Sequence, residues 1–64
     1  MKIGDIVWVN FGYFDRLGKI IGQYGTEPYE YYIFIEKGLF RGMGTDKLKM
    51  ASDEDAMLWI LENA

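Results

Sequence analysis

The chain reads as a mainly β protein, a small barrel of about five short antiparallel strands followed by one C-terminal α-helix. Three observations predict this. The run Tyr29-Glu30-Tyr31-Tyr32-Ile33-Phe34-Ile35 is dominated by β-branched and aromatic residues without a breaker, which marks a central strand. Shorter runs of the same kind flank it, separated by glycine-bearing turns. Finally, Ser52-Asp53-Glu54-Asp55 opens a helix: Ser52 is a good N-cap, Asp55 sits near the capping-box position, and three acids lie where the helix dipole favours negative charge.

In chain order, a Gly4-Asp5 turn leads into Ile6-Val7-Trp8-Val9, a first strand apolar on both faces. Residues Asn10 to Arg16 read as a loop, and two readings of its Phe11, Tyr13 and Phe14 stand side by side: lids folded over the core, or a recognition loop. Leu17 to Tyr24 is the second strand. Alternation places Gly18, Ile20, Gly22 and Tyr24 on one face, and two glycines there point to a tight bend or close backbone approach. After the Gly25 to Pro28 turn, the central strand divides into a core face of Tyr29, Tyr31, Ile33 and Ile35 and a second face of Glu30, Tyr32, Phe34 and Glu36. Glu36-Lys37-Gly38 is a hairpin turn into Leu39 to Met43, and a turn over Gly44 to Leu48 precedes a brief strand at Lys49-Met50. From its start at Ser52 the helix runs through Ala56 to Leu61, six consecutive apolar residues that cover its whole circumference, and frays at Glu62 to Ala64. On this reading Met57, Ile60 and Leu61 pack on the barrel, while Leu58 or Trp59 is left for another surface, and for Trp59 packing over Trp8 and Ile6 stands equally beside an intermolecular contact.

Sixty-four residues form a single domain, with 1–51 as the barrel and 52–63 as the helix. A domain of this size buries only roughly 60% of its unfolded surface. With no cysteine and no histidine, disulfides, thiolate and imidazole chemistry and the usual zinc ligands are excluded, so the 17% of aromatic residues must supply the packing. No apolar stretch approaches the roughly 20 residues that span a bilayer, and the expected location is cytoplasmic. Charge is unevenly placed: residues 1–51 carry seven Lys or Arg against six Asp or Glu, whereas residues 52–64 carry four acids and no base. A strongly basic nucleic-acid footprint is therefore missing.

The segments Gly4-Asp5-Ile6-Val7-Trp8-Val9, Gly18-Lys19-Ile20-Ile21-Gly22-Gln23-Tyr24, Glu36-Lys37-Gly38 and Thr45-Asp46-Lys47-Leu48 together resemble the SH3-like small β-barrels over about residues 3 to 50. That resemblance implies a fold and little about function, because such barrels host peptide binders, nucleic-acid binders and a few enzymes. The Gly-Asp start and the Gly-x-Ile-x-Gly-x-Tyr strand resemble plasmid-encoded type II dihydrofolate reductase, but its Val-Gln-Ile-Tyr catalytic stretch falls here on Phe40-Arg41-Gly42-Met43. Gly4 to Val9 also resembles the opening of the MazF-type toxin ribonucleases, whose following Arg-Pro segment is absent. Neither resemblance carries a catalytic residue over to this chain.

These readings lead to a non-catalytic protein-interaction module, of the size of a bacterial or phage accessory protein, with no cofactor and no metal. The expected contact residues are Trp59 and Leu58 on the helix together with Trp8, Tyr13, Phe14, Tyr32 and Phe34 on the barrel, facing either another protein or a second copy. The alternative is a nucleic-acid surface made of Lys19, Arg41, Lys47 and Lys49 with Tyr24 and Phe40. A third reading is a divergent small-barrel enzyme working as an oligomer, in which Asp15-Arg16 is either a catalytic pair or a loop salt bridge.

Overall fold

Two-residue alternation sorts most strand residues to one of two faces, and the sheet follows from that sorting. The computed structural model describes residues 1–26 and 30–64, and contains β1 (Ile6–Asn10), β2 (Asp15–Tyr24), β3 (Glu30–Glu36), β4 (Leu39–Gly44) and β5 (Leu48–Met50). A 3₁₀ turn at Thr45–Lys47 joins the last two strands, and α1 (Asp53–Glu62) ends the chain. The strands form one antiparallel sheet in the order β4-β3-β2-β1-β5. Pro28, and the core position expected of Tyr29, lie outside the described residues.

One face of the sheet gathers Val7, Val9, Ile20, Tyr31, Ile33, Ile35 and Leu48 into a single cluster, with Phe11, Leu39 and Met43 packed against it. Among the described residues no second layer covers this face, yet Val7, Val9, Ile20 and Ile33 are fully buried. The sheet must therefore curl around its own side chains, as a small barrel does. At the rim, the Tyr31 hydroxyl donates to the Met1 carbonyl at 3.3 Å, so this buried phenol keeps a partner. The core face expected of the central strand is thus the inner face of the barrel.

The outer face is covered where the sequence demanded cover for Ile6 and Trp8. α1 packs against β1 and β2 from outside, where Ile6 is buried and Trp8 and Leu17 are half-buried. Ser52 caps the helix as expected, accepting from the Asp55 N–H at 3.2 Å. The packed face is not the expected one. Trp59 is only 7% exposed, and Ala56 and Asn63, three residues before it and four after, are half-buried beside it. Met57, Ile60 and Leu61, expected against the barrel, face solvent with Leu58.

Two further expectations are corrected. The first loop is short, because Asn10 pairs with Asp15 and leaves only residues 11–14 between the strands. The Asn10 side chain accepts from the Gly12 N–H at 2.7 Å, the Phe11 N–H reaches the Phe14 carbonyl at 3.0 Å, and Gly12 takes φ +98°, so the chain turns at once. Arg16 is consequently a strand residue. It pairs with Glu36 on β3 at 3.3 Å rather than with its neighbour Asp15, which alternation directs to the other side.

The second correction concerns β2. Its register against β3 shifts between Ile20 and Gly22, so Ile21 is an extra residue and the faces exchange beyond it. Ile20 stays inside opposite Ile33, but Gly22 lies opposite Tyr32 and Tyr24 opposite Glu30, both on the outer face. The four residues expected on one face of β2 are split by the bulge into two pairs.

Candidate interaction surface

The bulge in β2 and the pairing of β3 with β4 bring four aromatic residues onto the outer face. Tyr24 packs on Tyr32 with ring centroids 4.7 Å apart, and Phe34, on the same face two residues beyond Tyr32, meets its cross-strand partner Phe40 at 5.2 Å. Phe34 also meets Trp59 edge-on at 5.9 Å, which links this band to the helix. Gly22 and Gly42 flank Tyr32 in the ladder and give the rings room. A Cβ at Gly22 would lie 3.3 Å from the Tyr32 ring, and one at Gly42 would lie 3.0 Å from the Tyr24 hydroxyl.

Tyr24 donates its hydroxyl hydrogen to Glu30, and that bond to a carboxylate pushes the phenol up from 10.0 to about 12, with burial and the Glu30 charge adding to it. The protonated phenol is the favoured form, so the contact is complete below about pH 10 and is lost as the pH rises through about 12. A spectrophotometric titration of tyrosinate should show a late-ionising phenol, and Glu30→Gln should bring it back toward the ordinary value. A Glu30→Gln titration that overlays the parent curve would exclude the bond as the cause.

Residues expected to work together are partly regrouped. Tyr32 and Phe34, expected in a protein contact, share one face with Tyr24 and Phe40, expected in a nucleic-acid contact. Tyr13 is fully exposed at the tip of the first loop, and Phe14 is more than half exposed while stacking on Phe11 at 5.4 Å. Of the two readings of that loop, the lid holds for Phe11 alone. Trp8 is half-buried beside the end of α1 in an open cleft of about 300 Å³ that Trp59, Arg16 and Glu62 also line. Of the two readings of Trp59, the intermolecular one is corrected: it is an internal residue, its indole N–H donating to the Ile35 carbonyl at 3.0 Å.

The basic residues do not converge on the aromatic band. Lys19 lies on the outer face opposite Ile6 and Phe34, whereas Arg41 pairs with Ile33 on the inner-face register and sets its guanidinium 6.0 Å from the Phe11 ring centre. Lys47 and Lys49 line a separate cleft of about 320 Å³ beyond β1, where Asp15 and Asp46 offset them. Among the described residues, no group of His, Cys, Asp or Glu is arranged to hold a metal ion, and no helix is long and apolar enough to cross a membrane.

The residues that sequence reasoning missed are on the helix: Met57, Ile60 and Leu61 join Leu58, which was expected at a contact. The four are between 47% and 68% exposed, and at about 100° per residue they fill the arc opposite Trp59. The available signal was the line Ala56-Trp59-Asn63, small and polar residues around one large one, which marks a face able to approach the sheet closely.

No protein-family model, curated protein or solved structure matches this chain.

Proposed function

We propose that this chain is a non-catalytic protein-interaction module, a small bacterial or phage accessory protein, that docks a protein partner through the solvent face of α1. The observation that carries this is the exposure of Met57, Leu58, Ile60 and Leu61 together on ten residues of helix. Apolar residues scattered singly on a surface need no explanation, but four contiguous ones cost solubility and mark a contact. Helix formation does not require them, since Trp59 and Ala56 already anchor the element. The aromatic band, reached from Trp59 through Phe34, extends the contact area over β3 and β4. Grouping the barrel with the SH3-like folds belongs to the same proposal and rests on its five strands and its Gly4-Asp5 opening.

The nucleic-acid reading has less support, because Lys19, Arg41, Lys47 and Lys49 are dispersed over different surfaces and the aromatic band has Glu30 at its edge. The test is photo-crosslinking inside the native host from a reactive residue at position 61, with position 37 in the β3–β4 turn as the control. A discrete protein adduct from position 61 and none from position 37 is the expected result. Equal adducts from both positions, or none from position 61, would remove the proposal.

A further inference from the structure

The charges that frame the exposed helix face specify its partner's chemistry. With about 100° per residue, Asp53 and Glu54 stand one turn before Met57 and Leu58 on the same solvent side, and Glu62 stands one turn after Leu58. The apolar cluster thus has carboxylates at both ends, and no base follows Lys49 in the sequence. Local helix stability accounts for only part of this pattern. Asp53, Glu54 and Asp55 suit the first turn, but Glu62 lies in the last turn, where the dipole favours a cation and the helix itself has none; Arg16, which lines a cleft with Glu62, is paired with Glu36 at 3.3 Å.

We propose that the helix face binds a cationic amphipathic segment of another protein, an apolar cluster flanked by Lys or Arg residues about 13 Å apart, the span from the first-turn acids to Glu62 at 1.5 Å per residue. This deepens the docking function proposed above and rests on it. On a partner helix the spacing corresponds to about nine residues, and on an extended segment to about four. A second copy fits poorly, since two such faces laid together oppose Asp53, Glu54 and Glu62 with their own kind and bring no base. An anionic lipid surface is repelled for the same reason.

The test is a residue-resolved NMR titration of the whole chain with three synthetic helical peptides of one leucine pattern, whose flanking residues are Lys, Gln or Glu. The Lys peptide should shift the amides of Asp53, Glu54, Met57, Leu58 and Leu61, and at low salt should bind about tenfold more tightly than the Gln peptide, with the Glu peptide weakest. Added salt should remove most of that difference. A Leu58→Ser/Leu61→Ser chain should lose the shifts altogether. Equal affinity for the Lys and Gln peptides at this face would overturn the cationic partner while leaving the docking function standing. Shifts centred on Tyr24, Tyr32 and Phe40, or no shifts with any peptide, would overturn both. Concentration-dependent shifts of the helix face in the chain alone would assign it to a second copy and overturn the cationic partner.

Discussion

Replacing Trp59 by alanine should remove about 3–5 kcal/mol of stability, the usual cost of deleting a buried large aromatic side chain. Trp59 is the one buried side chain of α1, and it packs edge-on against Phe34 and lines a cleft with Trp8 and Leu17. Its indole also has a specific task. Ile35 is skipped in the β3–β4 register and lies beyond the last β2–β3 pair, Lys19 with Phe34, so it has no ladder partner on either side. The Ile35 carbonyl accepts instead from Trp59 Nε1 at 3.0 Å. Losing the ring exposes apolar surface and strips that carbonyl of its donor together.

A domain of 64 residues has roughly 3–10 kcal/mol to lose, so the alanine variant should melt at least about 12 °C lower by circular dichroism, or be unfolded at room temperature. Trp59→Phe keeps most of the ring and forfeits only the N–H, and should cost about 1–2 kcal/mol. An alanine variant within about 1 kcal/mol of the parent would mean that the helix is not docked through Trp59. The substitution must therefore not be used to probe partner binding, because it disturbs the fold first; Leu58 and Leu61 are the residues for that purpose.

How much of this was legible in the sequence depends on the kind of signal. The inner face of β3 was, because Tyr31, Ile33 and Ile35 alternate without interruption and alternation is a geometric consequence of the strand. The helix start was, because Ser52 and the acids after it act within one turn. Two features were not. The bulge at Ile21 depends on how β2 closes against β3, a contact between residues about ten apart; Gly18 and Gly22 signalled a bend in this strand but not the extra residue that exchanges its faces. Tyr24 consequently parts from Ile20, with which it was expected to share a face, and joins the outer band. The docked face of α1 was hidden because six consecutive apolar residues give no amphipathic direction, and the deciding partner, the Ile35 carbonyl, is 24 residues away. Both failures bear on the candidate surface: alternation put Tyr32 and Phe34 on the outer face and Leu58 was expected away from the barrel, but Met57, Ile60 and Leu61 were expected against it and face solvent instead.

Gly18 supplies the second large effect, and its sign is decided by space and not by backbone freedom. Its φ is not in the left-handed region, so in an open strand Gly18→Ala should gain about 0.5–1 kcal/mol from reduced chain entropy. Here Gly18 is buried opposite Val7 and under β3. A Cβ would lie 2.5 Å from Ile33 Cγ2, 3.1 Å from the Phe34 carbonyl oxygen and 3.2 Å from Ile35 Cγ1. Ile33 and Ile35 are essentially inaccessible to solvent and have nowhere to move, and the carbonyl is backbone. Overpacking of this kind costs about 1–3 kcal/mol, which exceeds the entropic gain. Gly18→Ala should thus destabilise by about 2 kcal/mol, read as a lower urea midpoint with an unchanged slope. Gly22→Ala is the internal comparison, since its Cβ meets only the exposed Tyr32 ring at 3.3 Å, which can tilt away. It should be within about 0.5 kcal/mol of the parent. If Gly18→Ala proved as stable as Gly22→Ala, the close approach of β2 to Ile33 could not be as drawn, and the curl of the barrel that depends on it would need a different cause.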